Sequence, residues 1–117
     1  MKIYIAHNFA ARESLLPSIV STLEKWGHEI TSQWLVCQKG AMPETATMDI
    51  EDVDRADAIL FFTEQYGPTP GRGKYFELGY AYASGKTVFI LGKADNCIFF
   101  RLPKVIRLTS LNELENR

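Results

Sequence analysis

Glu77 is the residue around which chemistry can be built. It lies in Gly71-Arg72-Gly73-Lys74-Tyr75-Phe76-Glu77-Leu78-Gly79-Tyr80-Ala81, a glycine-rich loop running into a helix. A carboxylate in the first or second turn of that helix, beside Phe76, Leu78 and Tyr80, is costly to hold without a partner or a task. The structural alternative is an acid on the wet face of a surface helix. The loop itself suits an anion. The backbone N–H groups of Gly71, Arg72 and Gly73 and the helix dipole point the same way, and Arg72 and Lys74 add charge. The loop is neither a Walker motif nor a dinucleotide fingerprint, and a plain glycine-rich turn explains it equally well.

A carboxylate just beyond such a loop suits chemistry at the anomeric carbon of a sugar. Breaking an N-glycosidic bond builds positive charge on the ribose ring, and a glutamate can stabilise that charge or form a glycosyl ester. The departing base needs a proton from a second acid in a different environment. Asp57 is the candidate. A strand running from Asp57 to Thr63 puts it at the end away from the ligand crevice, where capping is its structural alternative. Tyr4, alternating with Ile3 and Ile5, can orient Glu77 or be an ordinary core tyrosine. Asn8 and Arg12 follow the first strand and are secondary substrate contacts. His7 is placed to touch ligand or to hold the loop, and Trp34 to stack on a base or cover the core. Neither Cys37 nor Cys97 forms a CxxC, and with His7 and His28 they give no metal-ligand spacing. No metal and no cofactor is expected.

These residues need an α/β frame. Lys2–Ala6 reads as a buried strand, followed by a helix from about Ala11 to Trp26, or from Ser14 with Pro17 in its first turn. Then come a short strand at residues 28–32, an irregular loop from Gln33 to Glu44, and a helix over residues 45–55 capped by Thr45 or Thr47. Residues 56–63 form the clearest strand, an apolar run suited to the centre of a parallel sheet. After the loop from Glu64 to Gly71, Arg72–Ser84 is helical and Gly85 stops it. Strands at 86–92 and 104–108, a helical turn near 96–100 and a terminal helical turn capped by Thr109 or Ser110 complete the chain. Alternating strands and helices predict one domain over residues 1–117. It is a small doubly wound, flavodoxin-like α/β sandwich with a five-stranded, mainly parallel sheet in the order 2-1-3-4-5. Its ligand crevice lies where the strand order reverses, between the strands ending near Ala6 and Thr63.

Composition excludes several roles. The chain has 117 residues, 46% hydrophobic and 23% charged, with net charge -1. There is no basic excess to hold a nucleic-acid duplex. No apolar run reaches membrane-spanning length, and the first residues turn polar too soon for a signal peptide. A cytoplasmic protein with reduced thiols is expected.

Three segments carry a resemblance. "KIYIAH" with Tyr4, "ATMDIEDVDRADAILFF" and above all "GRGKYFELGYAYASGKTVFILG" resemble the nucleoside 2-deoxyribosyltransferase family, including relatives that hydrolyse 2′-deoxynucleoside 5′-monophosphates. The likeness implies the fold above and a nucleoside or nucleotide substrate. It implies Glu77 as nucleophile, Asp57 as acid/base and Tyr4 as the residue that holds Glu77. Asp49 matches an acidic position in the preceding helix and is placed with the substrate contacts. The resemblance also implies a homodimer or larger assembly, with Phe99-Phe100 facing a neighbour or filling the core. Two departures stand out. The transferases carry a further loop acid where this chain reads Pro70-Gly71-Arg72, and the monophosphate hydrolases carry a phosphate-binding serine where this chain has Gly71. Arg72 and Lys74 are the expected replacements at the phosphate. A non-catalytic nucleotide-binding module is the alternative reading.

Overall fold

The computed structural model describes residues 1–9, 12–36, 43–63, 72–93 and 97–117. The elements are β1 (Lys2–Ala6), α1 (Leu16–Lys25), β2 (Glu29–Ile30), α2 (Pro43–Arg55), β3 (Ala58–Phe62), α3 (Arg72–Ala83), β4 (Thr87–Leu91) and β5 (Val105–Leu108), with 3-10 turns at Gln33–Leu35, Ile98–Arg101 and Leu111–Leu114. The five strands form one sheet in the order β2-β1-β3-β4-β5, parallel at every pairing. That is the architecture expected from the alternating pattern. The expected loops through Cys37, from Glu64 to Gly71 and at Asn96 lie outside the described residues.

β3 holds the centre because Ala-Ile-Leu-Phe-Phe has nothing to show water, and all five of its residues are buried. A strand covered on both faces reads as a continuous apolar run. Phe61 meets Tyr75 of α3 and Phe100 edge-on, at 5.1 and 5.4 Å between ring centroids. Burying one such ring is worth about 2–3 kcal/mol by area, and Phe61→Ala would cost about 3–5 kcal/mol by opening a cavity there.

The helix ends follow local chemistry. α1 starts at Leu16 with Pro17 in its first turn, where the missing N–H has no intrahelical acceptor to lose. The longer helix from Ala11 is therefore not formed. Gly27, at φ 90°, turns the chain out of α1, a conformation that favours glycine. α2 begins at Pro43, ahead of the expected threonine cap, and the Thr47 hydroxyl instead donates back to the Pro43 carbonyl at 3.4 Å. The terminal turn is closed by a capping box between Ser110 and Glu113.

α2 and α3 pack against each other and both touch β1. This places one helix–helix seam over the side of β1 that carries Tyr4. No helix among the described residues is long and apolar enough to cross a membrane.

Candidate active site

Tyr4 sits at the middle of β1, fully buried, in register with Ile59 of β3. Alternation along the strand sends Ile3 and Ile5 to the opposite face of the sheet. α3 hangs Glu77 from its second turn toward the same seam, and the Tyr4 hydroxyl donates a short hydrogen bond to Glu77 Oε2. The glutamate is thus held from β1, across seventy-three residues of sequence.

The seam is acidic. Burial pushes the Glu77 carboxyl up to about 8; the Tyr4 hydrogen bond opposes that rise, and the charges of Asp49 and Asp52 add to it. Asp49, on α2, is pushed up to about 6 by burial and by Asp52. Its Oδ1 is buried with no hydrogen-bond partner. Burial, then the Glu77 charge, raises the Tyr4 hydroxyl further still, so that it remains a donor. Burial and the neighbouring acid charges thus favour the protonated form of Glu77.

Asp57 is not among these acids. It precedes β3 at the amino end of the sheet, exposed, and its Oδ2 accepts the Lys2 backbone N–H at 2.8 Å. Its own N–H donates to Lys2 O at 2.8 Å. The expectation of Asp57 beside Glu77 is corrected: a parallel strand that starts at Ala58 leaves the preceding residue at the rim away from the crevice. The acid of the neighbouring helix whose charge bears most on Glu77 is Asp49, which sequence reasoning placed among the substrate contacts.

Lys74 is also corrected. Its side chain is buried, 2% exposed, and its ammonium donates to the Phe62 carbonyl at 2.7 Å. It lies over the rings of Phe61 and Tyr75 at 4.9 and 5.6 Å. The ammonium ties α3 to the end of β3 and does not stand exposed at the helix mouth. Arg72 and Gly73 are exposed in the first turn of α3, and Gly71 lies outside the described residues. Asn8 is buried at the end of β1, its N–H on His7 Nδ1 at 2.6 Å. The Arg12 guanidinium covers the Phe9 ring at 4.1 Å. His7 packs on Phe62 at 4.9 Å. Trp34 is buried and donates to Ile5 O at 2.8 Å, so it covers the core.

Sequence reasoning missed Asp52. It is fully buried and accepts from the Gln33 N–H and Gln33 Nε2, both at 2.8 Å, and from Arg55. The signal was present: Asp49, Asp52 and Arg55 recur every third residue and share one helix face. No group of three or more His, Cys, Asp or Glu side chains suited to a metal ion occurs among the described residues.

Residues 3–100 match the sequence model of nucleoside 2-deoxyribosyltransferases. The chain belongs to that family. Solved structures share its fold. A CMP N-glycosidase of Clostridium botulinum, BcmB, aligns with a TM-score of 0.68 at 19% identity, over 99% of this chain and 96% of that one. A 2-deoxyribosyltransferase of Bacillus psychrosaccharolyticus aligns with a TM-score of 0.68 at 24% identity, over 100% and 92%. A conserved protein of Enterococcus faecalis gives 0.69 at 20% identity, over 99% and 95%. No curated protein matches the chain.

On its other flank α3 borders an apolar cavity of about 450 Å³, whose lining includes Tyr75, Leu78, Gly79, Tyr82, Phe99 and Phe100. Phe100 is buried there and Phe99 is 62% exposed, so the expected aromatic pair divides between core and surface.

Proposed function

We propose that this protein cleaves or transfers the N-glycosidic bond of a 2′-deoxynucleoside or its 5′-monophosphate, with Glu77 facing C1′. The observation that carries the reading is the Tyr4–Glu77 hydrogen bond in a seam shared with Asp49. Family membership supports it. So do the activities for which two similar structures are named, CMP N-glycosidase and 2-deoxyribosyltransferase.

In the first step the Glu77 carboxylate attacks C1′, the C1′–N bond breaks, and the base leaves with a proton from the Asp49 carboxyl. The product is a glycosyl ester on Glu77. In the second step water or a second base attacks C1′, Asp49 takes its proton, and the Glu77 carboxylate is released. Water as acceptor makes the protein a hydrolase, and a base makes it a transferase. Tyr4 fixes the carboxylate so that one oxygen faces the sugar. The step needs charge on Glu77 and a proton on Asp49, whereas burial favours the proton on Glu77. Reaction therefore proceeds from one arrangement of a proton shared by the pair. Base release should follow a bell-shaped pH profile whose limbs belong to the pair.

The test is incubation with a panel of deoxynucleosides, ribonucleosides and their 5′-monophosphates, followed by chromatography of the free base. Wild type should release base. Glu77→Gln, which preserves the shape and an acceptor for Tyr4, should release at least 10³-fold less. Equal release by the variant refutes the assignment. Tight binding with no product after long incubation selects a nucleotide-binding module instead.

A further inference from the structure

We propose that Thr63 is a specificity-determining residue of the same site, whose hydroxyl bonds the oxygen on C5′ of the substrate sugar. The inference rests on the reading of Glu77 given above and deepens it by naming a second point at which the sugar is held. It stands on strand register, on burial and on one unpaired atom.

Thr63 directly follows β3 and keeps its ladder. Its N–H donates to Leu91 O at 3.0 Å, the bond next after the pairing of Phe62 with Leu91. Alternation therefore still governs its side chain. Tyr4 is level with Ile59 and Ala6 with Phe61, and residues level with each other in a parallel sheet point to one side. Thr63 follows Ile59 and Phe61 at intervals of two, so it faces the side that carries Tyr4 and α3. Phe62 faces the other way and meets His7 at 4.9 Å, as that alternation requires.

The first turn of α3 rests on the same place. Lys74 covers the Phe61 ring at 4.9 Å and donates to the carbonyl of Phe62, the residue joined to Thr63, at 2.7 Å. Glu77 follows Lys74 by three residues and is held by Tyr4. Thr63 and Glu77 therefore stand about one turn of α3 apart, roughly 5 Å along its axis, on one side of the sheet. That is the reach of a furanose from its anomeric carbon to its 5′ substituent.

The hydroxyl has nothing to bond. Thr63 is 1% exposed, and its Oγ1 is buried with no hydrogen-bond partner among the described residues. A dry hydroxyl without a partner weakens the fold, and valine would fill the same space. Its place is the carboxyl end of the central strand, where ligands of this architecture bind. A hydroxyl both donates and accepts. It can accept from a 5′-hydroxyl and donate to the ester oxygen of a 5′-phosphate, so the contact is common to a nucleoside and its monophosphate.

The rival is a structural hydroxyl, and three substrate classes separate the two. Thr63→Val removes the hydroxyl and keeps the shape; Thr63→Ser keeps the hydroxyl. Base release is measured on deoxynucleosides of the four bases, on their 5′-monophosphates and on 2′,5′-dideoxynucleosides, which lack the 5′ oxygen. On the first two classes Thr63→Val should lower kcat/KM at least about tenfold, and Thr63→Ser should stay within about threefold. On the dideoxynucleosides wild type and Thr63→Val should be equal, because the bond has no partner left to lose. An equal loss on all three classes overturns the proposal, and a loss confined to the monophosphates assigns the hydroxyl to the phosphate and overturns it too. Thr63→Val should melt no lower than wild type; a variant that melts well below it, or does not fold, makes the hydroxyl structural. If wild type releases no base, the reaction assigned to Glu77 fails, and the rise in Tm given by the same compounds still tests Thr63. The 5′ oxygen should add to that rise in wild type and not in Thr63→Val, and no difference between them overturns the proposal.

Discussion

At the scale of single residues, the seam stores a conflict. Glu77 binds its proton up to about pH 8 in the folded protein, against an ordinary value of 4.5. Between those values the folded chain holds a proton that the unfolded chain has lost. By linkage, stability is unaffected below the ordinary value and falls as pH rises through the window to about 8. Asp49 adds a smaller loss of the same sign, ending near pH 6. Glu77→Gln removes the largest contribution. Denaturant melts of wild type and variant should coincide near pH 4, and at pH 8 the variant should be more stable by roughly 1–3 kcal/mol. The same substitution should abolish base release, so function and stability pull apart at one side chain. Equal stability at both pH values would show that Glu77 ionises in the folded state as freely as in water.

At the scale of elements, α3 is tied down at both ends of its first two turns. Lys74 reaches the last carbonyl of β3, and Glu77 meets Tyr4 of β1. The ammonium carries no outward charge, so it sets the seat of the helix and with it the distance from Glu77 to Tyr4. Lys74→Ala should lose about 2–3 kcal/mol in thermal or denaturant melts, from a vacated site and the lost charged hydrogen bond to the Phe62 carbonyl. The preference between a deoxynucleoside and its 5′-monophosphate should stay within about twofold, because the side chain does not stand at the helix mouth. A selective loss on the monophosphate would return Lys74 to the phosphate. The helix was legible because glycines and a proline precede it and Gly85 stands where it stops. The lysine was not, because a basic residue after glycines reads equally as a phosphate contact or as a snorkelling anchor until its neighbours are known.

At the scale of the whole molecule, the parallel sheet has two unlike rims, and the site belongs to the seam between α2, α3 and β1. Asp57 sits at the amino-end rim, accepting from Lys2. Asp57→Asn should leave base release within about twofold of wild type and cost under about 1 kcal/mol, as an exposed hydrogen bond allows. Loss of activity in a folded Asp57→Asn would overturn the placement of the second acid. The amino group of Met1 and the carbonyl of Leu114 meet on His28, at 3.0 and 2.7 Å. This clamp joins the first strand to the last turn away from the seam.

Periodicity and apolar runs settled the element order, the parallel sheet and its 2-1-3-4-5 topology, because burial demands are written locally in each strand and helix. The glycine-to-glutamate stretch singled out Glu77, and the alternation around Tyr4 suggested its partner. Which second acid faces Glu77 was decided only by the fold. Asp49, Asp52 and Asp57 lie within nine residues, and a chain of that length crosses from one end of a helix to the rim of a strand. Their distances from Glu77, twenty to twenty-eight positions on, depend on how α2 lies against α3, which no local pattern encodes. Charge on a buried side chain is likewise a property of its neighbours in space, and so the protonation of the seam was a matter for the tertiary structure.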